Sequence, residues 1–331
     1  MKMRVTVALL AALLAGCSSV ETLKASEEQA AAMGNATPVS SPDGAKPDGK
    51  VSEIAANNIA IAGKTLAIVQ GSTLRIGSLD DIVADKAKSL NLNGECGEPT
   101  ASGASFVLAC GTDVFRIDAA DPSLDNKLTG ERPFSSAVVT STGEVIAGGT
   151  DRGDLTIFAN NEQHTVAVGQ RTDQLVITPT DSVAAINREQ TAIQGVLWKD
   201  RTHGAALRVG VGVGKVAPGD GDVVFATDTS GDQLAVYTLD PVIRLHQTAP
   251  VADSPWGLTW DKDNNVVWVA STGTNTITAY SINTGVPEEK GTLKTIANAR
   301  AVAIDADGNL LVGSDSELQV LDADTLTNAL S

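Results

Sequence analysis

The sequence predicts an all-β fold, a seven-bladed β-propeller of four-stranded antiparallel blades, and three observations lead to this prediction. Short bursts of β-branched and aromatic residues alternate with clusters of Asp, Asn and Gly, which is typical of strands joined by tight turns. One burst recurs about every forty residues, the spacing of propeller blades. No long helical pattern interrupts the repeats. The recurring bursts begin at Leu74, Val114, Leu155, Ile193, Leu234, Ile277 and Leu318.

The clearest copy of the repeat spans residues 254–283. Its apolar bursts at 257–260, 266–270 and 276–282 predict the first three strands of the sixth blade. The burst that recurs along the chain is the third strand of each blade. Four fourth strands are also predicted, at 87–92, 164–168, 243–248 and 293–296.

The last repeat contains only three predicted strands, so another part of the chain has to close the propeller. We expect residues 50–56 to pair with the final blade. The alternative is that residues 326–330 supply the closing strand.

The N-terminus predicts a secretory signal. Lys2 and Arg4 precede an apolar stretch at 5–14, which is too short to span a bilayer as a stable helix. The stretch ends in Leu-Ala-Gly-Cys at 14–17, which resembles a bacterial lipobox. That resemblance implies cleavage before Cys17 and attachment of a diacylglycerol to its thiol. The expected location is therefore the extracytoplasmic face of a cell membrane, held by a lipid anchor.

Residues 18–50 are rich in Ser, Ala, Glu, Gly, Pro and Asp, a composition that predicts disorder. The sequence thus divides into a lipoprotein signal peptide at 1–16, the lipidated cysteine and a flexible tether at 17–50, and the propeller at 51–331.

Charge and cysteine content narrow the function classes. The net charge of −16 excludes nucleic acid as a partner, because there is no basic surface to neutralise phosphates. Once Cys17 is assigned to lipid, Cys96 and Cys110 remain. An even pair outside the cytoplasm predicts a disulfide, here between a first strand and the end of the adjacent second strand.

Three features that suggest catalytic or binding chemistry have simpler interpretations. His164 and His246 fall on fourth strands and His203 in the connection leaving the fourth blade, too far apart to share a metal. The glycine-rich segment at 210–215 lacks P-loop spacing and a following helix, so its glycines are expected to admit a tight inner strand. The acidic run at 261–265 lacks the Gly and Glu of a calcium loop and is expected to be a turn.

The rim where the first strands begin is the expected binding surface. Trp256, Arg300, Asp173 and Ser135 are predicted there, with Arg132 and Arg171 close by. An Arg/Trp grouping of this kind can hold a carboxylate or a sugar. The alternative is that the tryptophan packs between blades and the arginines pair with local acids.

Several motifs resemble those of bacterial YVTN-type lipoprotein propellers. They are Pro-Trp-Gly-Leu at 255–258, Asp-Ala-Asp-Gly-Asn at 305–309 and Ala-Tyr-Ser-Ile-Asn-Thr-Gly at 279–285. Together with the lipobox and tether, the chain is similar to actinobacterial LppL-like prolipoproteins. The resemblance implies the fold, and it supplies no catalytic motif and no cofactor.

Two functions follow as hypotheses. The first is a non-catalytic, lipid-anchored propeller that binds an envelope protein, peptide or glycan through its rim or channel mouth. The second is a metal-dependent hydrolase or lactonase resembling gluconolactonases, which need Glu, Asn and Asp ligands converging in the channel. For that hypothesis the candidate ligands are Glu98, Asp173 and Asn298.

Overall fold

The computed structural model describes residues 33–169 and 171–331, and its strands form seven four-stranded antiparallel sheets over that part of the chain. In blade order, the first strands are Ile59–Ala62, Thr100–Ser102, Ser136–Val139, Gln174–Ile177, Val213–Pro218, Pro255–Asp261 and Ala301–Ile304. The second strands are Thr65–Gln70, Ser105–Cys110, Val145–Gly148, Val183–Asn187, Val223–Asp228, Val266–Ser271 and Leu310–Gly313. The third strands are Thr73–Gly77, Asp113–Asp118, Asp154–Ala159, Ala192–Leu197, Gln233–Thr238, Thr276–Ser281 and Leu318–Leu321. The fourth strands are Lys88–Asn91, Lys127–Thr129, Glu162–Ala167, Thr202–Arg208, Arg244–Pro250, Glu288–Lys294 and, in the seventh blade, Lys50–Ser52.

The seven-bladed architecture predicted from the repeat is confirmed, and each predicted third strand lies in an observed one. The fourth strands are placed less accurately. The strand predicted at 293–296 runs instead over Glu288–Lys294, where most side chains are exposed and three are Glu or Lys at its start. An outer strand buries little, so its apolar signal is weak and the sequence pattern does not define its beginning.

Apolar side chains are buried between neighbouring blades. Among the described residues they form seven clusters, one at each junction of two adjacent blades. At the junction of blades six and seven, Trp268 is fully buried, and its indole Nε1 donates to Asp261 at 3.1 Å. Each blade is therefore stabilised by the blades on both sides, and the seventh junction depends on closure of the ring.

The propeller is closed by Lys50–Ser52, which pairs antiparallel with Leu318–Leu321. The expectation that the chain N-terminal to the first blade supplies this strand is confirmed. The alternative donor at 326–330 lies at the end of the C-terminal helix, Ala323–Ala329. That helix begins at the N-cap Asp322 and buries Leu326 against the last two blades.

Residues 33–49, which we call the strap, differ from the predicted flexible tether. They lie on the loops at the face where the first strands begin and belong to the same compact unit as the propeller. Five strap amides donate hydrogen bonds of 2.7 to 3.1 Å to acceptors on blades four to seven and their connections. The donor and acceptor residues, in order, are Gly34 and Val211, Asn35 and Arg188, Val39 and Ser254, Ser41 and Asn298, and Asp48 and Lys294.

The strap is ordered mainly by polar contacts with tertiary partners, since Ala36 is buried while Met33 and Val39 are exposed, which is why composition alone predicted disorder. The signal peptide, Cys17 and the rest of the predicted tether lie outside the described residues. Within 33–169 and 171–331, no helix is long and apolar enough to cross a membrane. The short helices Leu79–Val83 and Trp198–Asp200 complete the secondary structure of that part.

Candidate functional site

A cavity of about 370 Å³ occupies the central channel. Residues from all seven first strands or the positions just before them line it. Its deeper wall is apolar and includes the half-buried side chains of Ile59, Ile61, Ile177 and Ile304. The volume is within the range of small-molecule sites, about 300–1,000 Å³.

Polar side chains surround the mouth of this cavity, at the positions where first strands begin. They are Asn58, Glu98, Gln174, Lys215 and Arg300. Each comes from a different blade, so residues far apart in sequence are brought to one opening.

Lys215 and Glu98 form an ion pair across the mouth. The Lys215 side chain is 12% exposed and that of Glu98 is 42% exposed. Burial and the nearby positive charge of Arg300 lower the pKa of the Lys215 ammonium to about 7. The Asn58 amide, oriented so that its nitrogen faces acceptors, also donates to Glu98 Oε1 at 3.2 Å.

Arg300 is the second cation of the mouth, and its side chain has no hydrogen-bond partner among the described residues. Its Nε atom is buried without an acceptor. Gly257 packs directly against the Arg300 backbone, where any larger residue would overlap its carbonyl. Leaving the buried Nε without an acceptor is costly unless a ligand or water accepts from it.

Trp256 lies beside the mouth and contacts a third cation. The Arg188 guanidinium carbon is 5.7 Å from the centre of the Trp256 ring. Arg188 Nε donates to the Gly214 carbonyl at 2.8 Å, and a side chain at Gly214 would overlap the hydroxyls of Thr229 and Thr227 and crowd the Trp256 ring. The arginine beside Trp256 is Arg188, which the sequence interpretation did not select.

Asp173 is beside the mouth, as expected, with its carboxylate already occupied. Arg171 Nη2 donates to Asp173 Oδ1 at 2.7 Å, and the Arg188 amide donates to Oδ2 at 2.8 Å. The neighbouring carboxylates Asp173 and Glu189 raise the pKa of Arg171. Asp173 and Arg171 therefore neutralise each other, in agreement with the local-pairing alternative.

The remaining predicted rim residues are not brought into the cavity. Arg132 is exposed on the connection before the third blade and lines no part of the channel cavity. Ser135 lies at the edge, where its hydroxyl donates to the Thr172 carbonyl at 2.7 Å and joins blades three and four.

The predicted disulfide between Cys96 and Cys110 is present. It lies just before the first strand of the second blade, where Gly97 N also donates to the Ala109 carbonyl at 2.8 Å. Both links fix the chain immediately before Glu98. The disulfide therefore positions one of the charged groups of the channel mouth.

The glycine-rich segment at 210–215 is organised by an internal carboxylate. Asp228, 2% exposed, accepts hydrogen bonds from the amides of Val211, Gly212 and Gly231 at 2.8 to 3.1 Å. A side chain at Gly210 would overlap this carboxylate. Amides that could have bound a phosphate are thus already satisfied, and the segment ends by placing Lys215 in the channel.

The acidic run at 261–265 is a turn, as expected. Asp261 Oδ1 accepts from the Asn264 amide at 3.1 Å, and Asp261 Oδ2 accepts from Asn264 Nδ2 at 2.8 Å. The prediction for His203 was wrong, because it lies within the fourth strand Thr202–Arg208 rather than in a connection. His164 and His246 lie on other fourth strands, as predicted, so the three histidines belong to three different blades.

The model of the SMP-30/Gluconolactonase/LRE-like region family matches residues 138–326, more than half of the chain. The protein belongs to this family. The matched part begins in the first strand of the third blade and extends into the C-terminal helix. No curated protein sequence matches the chain.

Two solved structures are similar to this SMP-30/gluconolactonase-like chain in their fold. A chain in a crystal structure of the mitotic checkpoint complex superimposes with a TM-score of 0.70 and 13% identity, over 97% of this chain and 98% of the other. The β-propeller domain of Cps50 (Swd1) from Myceliophteria thermophila gives a TM-score of 0.67 and 11% identity, over 84% and 99% of the two chains. At these identities the likeness concerns the propeller alone.

Membership of the SMP-30/gluconolactonase-like family raises the question whether the three candidate metal ligands fit a divalent ion. Glu98 is paired with Lys215, and Asp173 with Arg171 and the Arg188 amide. Asn298 accepts from the strap through its Oδ1 atom and does not line the cavity. Across the described part of the chain, no three His, Cys, Asp or Glu side chains are grouped to hold a metal.

A divalent ion at the mouth would also face the positive charges of Lys215 and Arg300. A metal site requires converging oxygen ligands with free lone pairs and excess negative charge. The residues present therefore do not fit the metal that the lactonase hypothesis requires.

Proposed function

We propose that this SMP-30/gluconolactonase-like protein is a lipid-anchored binding propeller on the extracytoplasmic face of a membrane. In this role it holds a component of the cell envelope, a protein, peptide or glycan, at its rim or channel mouth without catalysing a reaction. The observation that carries the proposal is the charge pattern of the mouth. The cations Lys215 and Arg300 line the opening where a metal-dependent lactonase needs converging oxygen ligands.

The second candidate is the metal-dependent lactonase, which family membership favours. The two functions differ in metal content and turnover. We expect protein purified without chelators to contain no stoichiometric divalent ion by elemental mass spectrometry. We also expect no hydrolysis of five- or six-membered lactones above the buffer rate, with or without added Ca²⁺, Mn²⁺, Mg²⁺ or Zn²⁺.

Glu98→Gln serves as the diagnostic variant for this comparison, because it removes the carboxylate that a metal would require. One ion per chain, together with lactone turnover that disappears in Glu98→Gln, would establish the lactonase and refute the binding role. Trace turnover that is equal in the two proteins would come from a contaminant.

The membrane anchor has its own prediction. Cys17→Ser is expected to move the protein from the membrane fraction to the soluble fraction, because the diacylglycerol supplies the apolar chains that hold it. Ser19→Ala, two residues away, is the control and should stay membrane-bound. Intact-mass analysis of the detergent-extracted protein should show a mature chain beginning at Cys17 with added lipid. An unmodified cysteine on a membrane-bound chain would contradict the proposal.

A further inference from the structure

We propose that the channel mouth is a binding site for a small organic carboxylate with an apolar remainder, recognised by Arg300 and Lys215. This inference rests on the proposed binding role and names the ligand class of the same opening. Three features of the site lead to it, namely its unused donors, its internal carboxylate and its apolar interior.

The unused donors are those of Arg300. Its guanidinium lies at the opening with a buried Nε that has no acceptor in the described structure. A planar guanidinium binds a carboxylate through two parallel N–H donors, and such pairs are among the strongest hydrogen bonds in proteins. A ligand carboxylate would satisfy an atom that the protein itself leaves without a partner.

The internal carboxylate is Glu98, which pairs with the other cation, Lys215. Its side chain is the more exposed of the two and extends from the second blade across the mouth. Glu98 therefore marks a position where a carboxylate is accepted beside Lys215. A ligand carboxylate can share Lys215 with Glu98 or replace it, and Glu98 acts as a competitor.

The apolar interior defines the rest of the ligand. Below the charged mouth, Ile59, Ile61, Ile177 and Ile304 line the cavity from blades one, four and seven. These side chains are only partly buried by the protein, so an apolar group of a ligand would remove them from water. Among the described residues, none of the strap lines the cavity. A short aliphatic carboxylic acid matches both the positive charges of the mouth and the apolar wall of the cavity.

The test uses the full mature chain and sodium hexanoate, with hexanamide as the neutral probe of the same shape. Isothermal titration or ligand-observed NMR is expected to show saturable binding of hexanoate. Because hexanamide lacks the negative charge, its affinity should be lower by about ten- to a hundredfold. This factor corresponds to the contribution of a hydrogen bond to a charged group. Acetyl-leucine provides a second arm, and tighter binding of it than of hexanoate would identify a peptide C-terminus as the carboxylate source.

Four variants locate the site. Arg300→Gln should weaken hexanoate binding by about tenfold or more. The affinity of Arg300→Lys should lie between those of the unaltered protein and Arg300→Gln, since lysine keeps the charge and loses the planar guanidinium. Glu98→Gln should tighten binding several-fold by removing the competitor. Arg132→Gln is the matched control, an exposed arginine outside the cavity, and should bind as the unaltered protein does. Circular dichroism and melting temperature confirm that each variant is folded.

Absence of hexanoate and acetyl-leucine binding in both the unaltered protein and Glu98→Gln would overturn the inference. Equal weakening by Arg300→Gln and Arg132→Gln would also overturn it, because it would show only a general effect of net charge. Either result is separable from failure of the binding role itself, which is decided by metal content and lactone turnover.

Discussion

Removing residues 33–56 is expected to lower the free energy of unfolding by about 3–5 kcal/mol relative to a chain that begins at Met33, from lost apolar burial and hydrogen bonds. The lost segment includes the closing strand Lys50–Ser52, Ile54 and the fully buried Ala56. Ala56 belongs to the cluster at the junction of blades seven and one, and its amide donates to the Ser314 carbonyl at 2.7 Å.

Loss of the closing strand also changes the surface. The strand Leu318–Leu321 becomes an edge, and unpaired edges promote association between chains. We therefore expect the chain beginning at Asn57 to elute partly as dimers or larger species in size-exclusion chromatography. Urea unfolding, with the denaturant slope compared between proteins, measures the stability change.

A chain beginning at Lys50 separates closure from the strap. It keeps the closing strand and loses the strap, whose hydrogen bonds lie at the partly exposed loop face. Its free energy of unfolding should fall by only about 1–2 kcal/mol, the range for a few partly exposed hydrogen bonds. Equal midpoints for the chains beginning at Lys50 and Asn57 would show that Lys50–Ser52 does not close the propeller.

The fold was predictable because strand periodicity and turn residues repeat within each blade. In the sixth blade the second and third strands are buried on both faces, so their apolar bursts identify them directly. Outer strands carry Glu, Lys and Thr on exposed faces, which explains the displaced prediction near Leu293. The strap was missed because its order depends on partners up to 271 residues away in sequence, such as Gln319, which donates to the Asp48 carbonyl.

The site was predictable only in part. Blade register placed Trp256, Arg300 and Asp173 near the channel, because each stands at the start of a first strand. It could not show which charges pair across the opening, since such pairs join different blades. Lys215 was missed because the glycines before it drew attention to phosphate binding, although the same register places it at a first strand.

Asp228→Ala is expected to lower the free energy of unfolding by about 3–5 kcal/mol, because three amides, one buried and two partly buried, lose their acceptor at once. The carboxylate, at the end of the second strand of the fifth blade, connects the segment at 210–212 to the turn at Gly231. Gly210 and Gly231 pack directly against this carboxylate, and a side chain at either position would overlap it. Chemical denaturation measures the loss.

Asp220→Ala is the matched control, since Asp220 is an exposed aspartate on the same blade, and it should change stability by less than about 0.5 kcal/mol. The stability loss of Asp228→Asn should lie between those of Asp228→Ala and Asp220→Ala, because the asparagine amide keeps one accepting oxygen and turns a donor toward the backbone amides. A small effect of Asp228→Ala would mean that water satisfies the three amides. In that case the carboxylate would not be what holds Lys215 at the channel mouth, and hexanoate binding should be unchanged in the same variant.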